Sequence, residues 1–420
     1  MNKDTITLFP TSFDGEVKAP PSKSLSHRAI ICAGLSKGTS RLSNIVYSDD
    51  IIATMNAMEQ LGVEFHKRNN SLHVRGLKHF RLSNDLVDCN ESGSTIRFLI
   101  PLFSLTNKLI RFTGKKSLLA RPQSIYEDIY KSDGNTFELK NDILLVKGSI
   151  KPRNYLIDGG VSSQFISGLL FALPLLNDDS TITIQGNLES KSYIDLTIST
   201  LKTFGISILE TSDGYFIKGN QEYASTNYYI EGDYSQGAFH LVGGVIGGRI
   251  KVEDLDHESQ QGDKAIVDTI QAMGGRVVFM ENGYTTEKTQ THSSIIDIED
   301  CPDIGPIIAL LASVSKGTTH IINAHRLRIK ESDRIKSTVE TLKSLGANIT
   351  SKNDEIIVTG RNMLEGGVTV DSYNDHRIAM MVSIASSRCN KEVILTGASA
   401  VNKSYPHFFE DFKAIGGKYK

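Results

Sequence analysis

Six times along the chain a polar tip runs into an apolar, helix-length stretch, and the copies recur about every seventy residues, a period that decides an architecture before any single residue does. The copies are PSKSLSHRAIICAGLSKG from Pro21, NESGSTIRFLIPLFSL from Asn90, GGVSSQFISGLLFALPLL from Gly159, EGDYSQGAFHLVGGVIGG from Glu231, CPDIGPIIALLASVSKG from Cys301 and DSYNDHRIAMMVSIASS from Asp371. Each is followed by a more amphipathic segment: SDDIIATMNAMEQLGVEFH, RPQSIYEDIYKSDGNTFEL, SYIDLTISTLKTFGISIL, DKAIVDTIQAMGGRVVF, SDRIKSTVETLKSLGANIT and PHFFEDFKAIGGKY. In most of these, apolar residues recur at helical spacing up to a glycine cap, and the β-branched run after the glycine predicts a strand. Leu201, Phe204 and Ile206 mark one such switch. Alternating stretches such as SLHVRGL, GYFIKGN and DEIIVTG add short strands with turn residues. The repeat reads as roughly β-α-β-α-β-β, longer than a solenoid unit and rich enough in helix and sheet to form a compact layer of its own.

A chain of 420 residues, 39% hydrophobic and 22% charged, has the length for two such bodies or more. Its formal net charge of -2 supplies no global field for nucleic acid or an anionic membrane, so any anion site must be local. Cys32, Cys89, Cys301 and Cys389 lie far apart with no C-x-x-C pair, which fits neither a zinc site nor a disulfide framework and suits a reducing cytosol. No run approaches the roughly 18 apolar residues of a membrane span, and MNKDTITLFP lacks a signal-peptide core. The expectation is a cytoplasmic protein with neither nucleic-acid nor membrane partners.

The local anion site is suggested by APPSKSLSHRAII, residues 19–31. Ser22, Ser24 or Ser26 alone would explain a helix cap. Lys23 and Arg28, however, oppose the macrodipole at a helix N-terminus, which calls for an anion from elsewhere. The first helix of each repeat is nearly apolar all round, as in FISGLLFALPLL and IIALLASV, and should be buried with its free N–H groups aimed outward. Converging N-termini of that kind favour phosphate or carboxylate. The tips carry matching side chains: Lys23, Ser24 and Arg28; Gly93, Ser94 and Arg97; Ser162, Ser163 and Gln164; His376 and Arg377. Beyond the tips, LLARPQ holds Arg121, RLRIKESDRI packs four cations with Glu331 and Asp333, and VNKSYPHFF holds Lys403. The plainer alternative makes Lys330, Glu331 and Arg334 solvated helix partners worth about 0.3–0.5 kcal/mol per pair.

PPSKSLSHRA, NESGSTIRFL, RPQ, GGVSSQF, SYIDLT, GDYSQGAF, PDIGP, RIKESDRI, YNDHRIAM and a lysine before PHFFED, in this order over essentially the whole chain, resemble the 5-enolpyruvylshikimate-3-phosphate synthase family. The resemblance implies an α/β protein, a two-lobed inside-out α/β barrel of six βαβαββ repeats, three per lobe, with its active site in the interlobe cleft. Lobe I is expected to comprise residues 1–14 and 231–420, and lobe II residues 15–230. The crossings are expected near 13–20 and 226–232, where PTSFDGEVKAP and Gly232 suit hinges.

Carried over position by position, the family pattern implies Lys23, Ser24, Arg28, Ser162, Ser163, Gln164, Ser190, Tyr193, Asp303 and Lys330 for shikimate 3-phosphate. For phosphoenolpyruvate it implies Lys23, Gly93, Arg121, Gln164, Arg334, Arg377 and Lys403. The reaction implied is addition and elimination: the substrate 5-hydroxyl attacks C2 of phosphoenolpyruvate, C3 gains a proton, and phosphate leaves. Asp303 is expected as the hydroxyl-side base, Glu331 as proton donor or relay to C3, and Lys23 as a third participant. Two phosphates and a carboxylate in one site require dense cations, and the proton transfers require an acid and a base.

No metal or organic cofactor is implied, and a monomer is expected. With its ligands absent, repulsion among cations predicts an open cleft that shuts on shikimate 3-phosphate. Glu91 and Arg326 stand where the family often has asparagine, and Phe98 where it often has proline, which leaves sensitivity to glyphosate, a competitor of phosphoenolpyruvate in this family, an open variable. The sister transferase acting on UDP-N-acetylglucosamine typically has a reactive cysteine before the Arg121 position and lysine-asparagine at the Lys23 position; TGKKSLLARP and Lys23-Ser24 depart from both. A non-catalytic anion-binding module on the same repeats is the remaining alternative, although Asp303, Glu331 and Lys403 are all present.

Overall fold

The computed structural model describes residues 4–69, 71–160 and 162–420. Residues 1–3, which open the first expected lobe, and Val161 of GGVSSQF lie outside the described residues. The repeat is clearest between Asn154 and Ile217. Strand Asn154–Asp158 pairs in parallel with Ser180–Gln185, which pairs antiparallel with Gly214–Ile217, which pairs in turn with Ile208–Thr211. Helix Ser163–Ala172 connects the two parallel strands, and helix Lys191–Thr203 leads into the hairpin. Six four-stranded sheets follow this strand pattern among the described residues.

The chain divides into two compact units, Lys23–Ile230 and Met1–Ser22 with Glu231–Lys420. The division falls after Ser22 rather than after residue 14 because strand Phe13–Lys18 pairs along its whole length with Gly248–Glu253, and the Ala19 N–H donates to the Glu253 carbonyl at 2.9 Å. Each unit contains three sheets and one large apolar core. In the discontinuous unit, strand Thr5–Phe9 lies between Val393–Thr396 and the C-terminal Lys418–Tyr419.

The all-apolar helices are the buried ones. Every position of helix Tyr234–Gly247 is buried, and helix Lys23–Leu35 is buried from Leu25 onward. Fully burying each Leu, Ile or Val side chain is worth about 1.5–3 kcal/mol, which fixes these helices inside their units. No helix among the described residues is long and apolar enough to cross a membrane.

The amphipathic helices stop on a common device. Gly62, Gly134, Gly205, Gly274, Gly346 and Gly416 follow them in left-handed backbone, with φ between +71° and +106°. The next N–H returns to the last turn, as from Ile206 to Leu201 O and from Ala347 to Leu342 O, both at 2.9 Å. A Cβ on Gly134 would meet nothing within 4 Å. Gly134→Ala should therefore isolate the backbone cost, about 1–2 kcal/mol for a non-glycine residue in this conformation. Urea unfolding measures it; an unchanged midpoint would rule out the glycine requirement.

Candidate active site

In the Lys23–Ile230 unit the first tip pairs Lys23 Nζ with Asp50 Oδ2 at 2.9 Å, Asp50 lying in the first turn of helix Asp49–Gln60. Arg28 is 2% exposed. Its Nε donates to Thr197 Oγ1 at 2.8 Å, Nη1 to Ser24 O at 2.7 Å and Nη2 to Tyr193 O at 2.8 Å. All three acceptors are neutral, and burial pulls the guanidinium down to about 10, still cationic near neutrality. Tyr193 and Thr197 come from helix Lys191–Thr203, whose cap, Ser190, is buried with φ +52°. A buried serine in that region costs conformational energy and marks a fixed position.

The second and third tips interlock. Ser92 and Ser162 cap helices Gly93–Ser104 and Ser163–Ala172, accepting from Thr95 N at 3.1 Å and Gln164 N at 3.4 Å. Arg97 Nη1 donates to Gln164 Oε1 at 2.9 Å, and Gln164 Nε2 to Ser94 Oγ at 3.1 Å. A Cβ on Gly93 would lie 3.0 Å from Arg121 Nη1 and 3.4 Å from Gln164 Oε1, so the missing side chain lets the guanidinium approach the helix start. Arg121 Nε and Nη2 are buried with no hydrogen-bond acceptor among the described residues. The hydroxyls of Ser167 and Thr197, 2.8 Å apart, tie this group to the Arg28 group. Glu91 is internally compensated, accepting from Ser117 Oγ at 2.7 Å and pairing with Lys115 Nζ at 3.2 Å. Phe98 packs on Phe171 with ring centroids 5.4 Å apart.

The other unit corrects one expectation. Its all-apolar helices do not wait for an outside anion, because the chain supplies one at each start. Asp233 caps Tyr234–Gly247 through Gln236 N at 3.0 Å, Asp375 caps His376–Ala385 through Arg377 N at 2.9 Å, and Asp303 sits in the turn Pro302–Ile304 leading into Gly305–Ser313. These carboxylates offset the helix dipoles locally.

Around them lies a dense ionic network. Arg334, with a side chain 1% exposed, donates from Nε to Asp375 Oδ2 at 2.8 Å, from Nη1 to Asp303 Oδ1 at 2.8 Å, and from Nη2 to Glu331 Oε2 at 2.6 Å and Asp375 Oδ1 at 3.2 Å. Four of the five guanidinium donors are thus engaged. Lys330 Nζ lies 3.0 Å from Asp303 Oδ1, and Arg377 Nη2 lies 3.6 Å from Asp303 Oδ2. The alternative of solvated helix partners fails, since Arg334 is buried and Lys330 precedes helix Arg334–Ser344. Burial raises the Asp303 carboxyl, but Lys330, Arg334 and Arg377 outweigh it and hold the group well below the usual carboxylate range. Burial, with Arg334 and Arg326, draws the Lys330 ammonium down against the pull of Asp303. Lys403 is buried and donates to Asn374 O beside the start of helix His376–Ala385, where His376 is buried next to Asp375.

Within the Lys23–Ile230 unit the structure gathers Ser24, Arg28, Ser190 and Tyr193 into one group and Gly93, Arg121, Ser162, Ser163 and Gln164 into another, with Lys23 held by Asp50. In the second unit it gathers Asp303, Lys330, Glu331, Arg334 and Arg377, with Lys403 at the neighbouring helix start. Sequence reasoning missed Asp375 and Asp50. The available signal for Asp375 was an acidic residue immediately before an apolar helical run, the position of a cap.

This architecture recurs in solved structures. An EPSP synthase from Acinetobacter baumannii matches it with a TM-score of 0.82 at 23% identity, covering 99% of both chains. The enolpyruvyl transferase NikO from Streptomyces tendae matches with a TM-score of 0.81 at 16% identity, covering 99% of this chain and 98% of that one. The fold is therefore the inside-out α/β barrel of the enolpyruvyl transferases. A family model described as EPSP synthase (3-phosphoshikimate 1-carboxyvinyltransferase) matches residues 9–412. The 3-phosphoshikimate 1-carboxyvinyltransferases of Clostridium novyi (strain NT) and Clostridioides difficile (strain 630) are 47% and 45% identical, each over 99% of this chain and 98% of the relative. The chain belongs to the EPSP synthase family.

Proposed function

We propose that this protein transfers the enolpyruvyl group of phosphoenolpyruvate to the 5-hydroxyl of shikimate 3-phosphate, releasing phosphate, in the shikimate route to aromatic amino acids. The observation that carries the reading is the contrast between the two clusters. One presents buried guanidinium groups to neutral oxygens, and the other interleaves carboxylates with cations. The first suits a bound dianion, the second suits proton transfer.

In this reading Ser24, Arg28, Ser162, Ser163, Gln164, Ser190, Tyr193 and Lys330 hold shikimate 3-phosphate, with Asp303 and Lys23 beside the reacting hydroxyl. Lys23, Gly93, Arg121, Gln164, Arg334, Arg377 and Lys403 hold phosphoenolpyruvate. Asp303 begins as a weak base, held down by three cations. Substrate phosphate and carboxylate then compete for Lys330, Arg334 and Arg377, and burial, which opposes ionisation, raises its basicity as the hydroxyl attacks C2. Glu331, bonded to Arg334 Nη2, is the donor or relay of the proton that C3 gains, taking up a proton before it gives one. In the elimination from the tetrahedral intermediate the C3 methyl gives up a proton as the C2–O bond to phosphate breaks, which restores the carbon–carbon double bond and releases phosphate. The protein acts as a cytoplasmic monomer.

Purified protein should release inorganic phosphate only when both substrates are present. Binding of the two without turnover would favour the non-catalytic module, and turnover only with UDP-N-acetylglucosamine would favour the sister transferase.

A further inference from the structure

Asp263 lies outside the residues assigned above, yet it is 3% exposed and tied to them by a short chain of bonds. It sits in the turn Gly262–Lys264, and its Oδ2 accepts from Ser235 Oγ at 2.5 Å. Ser235 is in the first turn of helix Tyr234–Gly247, and its carbonyl oxygen accepts from Arg377 Nη1 at 2.7 Å. The other guanidinium nitrogen of Arg377 faces Asp303, while Phe239 of the same helix lies under the guanidinium at 5.8 Å. The preceding residue of the turn but one, Gln261, clamps the same helix start, accepting from Tyr234 N at 3.1 Å and donating to Gly232 O at 2.8 Å.

From this geometry we propose that Asp263 is a positioning residue for Arg377: by fixing the Ser235 hydroxyl it holds the helix turn whose carbonyl orients the guanidinium toward phosphoenolpyruvate. The proposal rests on the functional reading above. Burial and Asp303 push the Asp263 carboxyl up to about 6, against Ser235 and Arg377, so it is chiefly the ionised acceptor at pH 7.5. Asp263 is buried behind Ser235, so its effect on the reaction passes through Arg377 and should fall on one substrate rather than both.

The test is steady-state kinetics of Asp263→Ala, Asp263→Asn and Ser235→Ala with each substrate varied in turn at saturating levels of the other. Misplacing a binding group by a fraction of its reach should lower kcat/KM for phosphoenolpyruvate about 10- to 100-fold in Asp263→Ala and Ser235→Ala, while KM for shikimate 3-phosphate stays within about twofold. Asp263→Asn, whose amide oxygen still accepts from Ser235, should remain within about threefold of the parent. Phosphoenolpyruvate kinetics unchanged in Asp263→Ala, equal losses on both substrates, or an Asn variant as impaired as Ala would each overturn the assignment. If Asp263→Ala does not fold, Ser235→Ala carries the same expectation with a smaller change. A parent protein without turnover would instead overturn the functional reading, and this inference with it.

Discussion

Asp303→Ala is expected to lower kcat by about 10³-fold, within the 10²–10⁴ range of a positioned general base, while substrate binding weakens far less. The two halves of that expectation come from one arrangement. Asp303 accepts from Lys330 and Arg334 and faces Arg377, so deleting the carboxylate removes the proposed base and frees each of three cations from one anionic neighbour. Freed cations attract the substrate anions more strongly, and KM for phosphoenolpyruvate should not rise. Steady-state kinetics with phosphate release as the readout separates the effects. A kcat within about tenfold of the parent, or a loss confined to KM, would remove Asp303 from the base role.

The second large effect concerns stability. Asp375→Ala should destabilise its unit by about 3–5 kcal/mol, the typical cost of breaking a buried ion pair from one side. Asp375 is 0% exposed, accepts twice from Arg334 and once from Ser332 Oγ at 2.9 Å, and caps helix His376–Ala385. Its removal leaves a buried guanidinium undercompensated and a helix N–H unsatisfied. The exposed pair Lys131–Glu127 offers the contrast: removing it should shift the unfolding midpoint far less. Denaturant unfolding of both variants checks the comparison. A shift for Asp375→Ala as small as that for the exposed pair would mean the network contributes little to the fold.

The repeat was legible because its signals are local. Helical spacing ending at glycines such as Gly62 and Gly205 needs no knowledge of distant partners, and both glycines take the left-handed conformation. The basic residues of the tips were legible for a similar reason, since cations at a helix N-terminus oppose its dipole. What escaped depends on long-range neighbours. The unit boundary was misplaced because strand Phe13–Lys18 finds its partner 235 positions later, Glu16 beside Lys251. Arg334 read equally well as a solvated helix residue, because only the folded unit brings Asp303 and Asp375 to it. The dipole argument was applied evenly to six tips, but Asp233, Asp303 and Asp375 already answer it in one unit, leaving the unmet demand to Arg28 and Arg121 in the other.

The placement of strand Thr5–Phe9 between Val393–Thr396 and Lys418–Tyr419 has a bearing on biosynthesis. On the ribosome, the segment Lys23–Ile230 is complete before residues 231–420 are made, and its three sheets can mature at once. Strand Thr5–Phe9, made ahead of that segment, must wait unpaired until Val393–Thr396 has emerged.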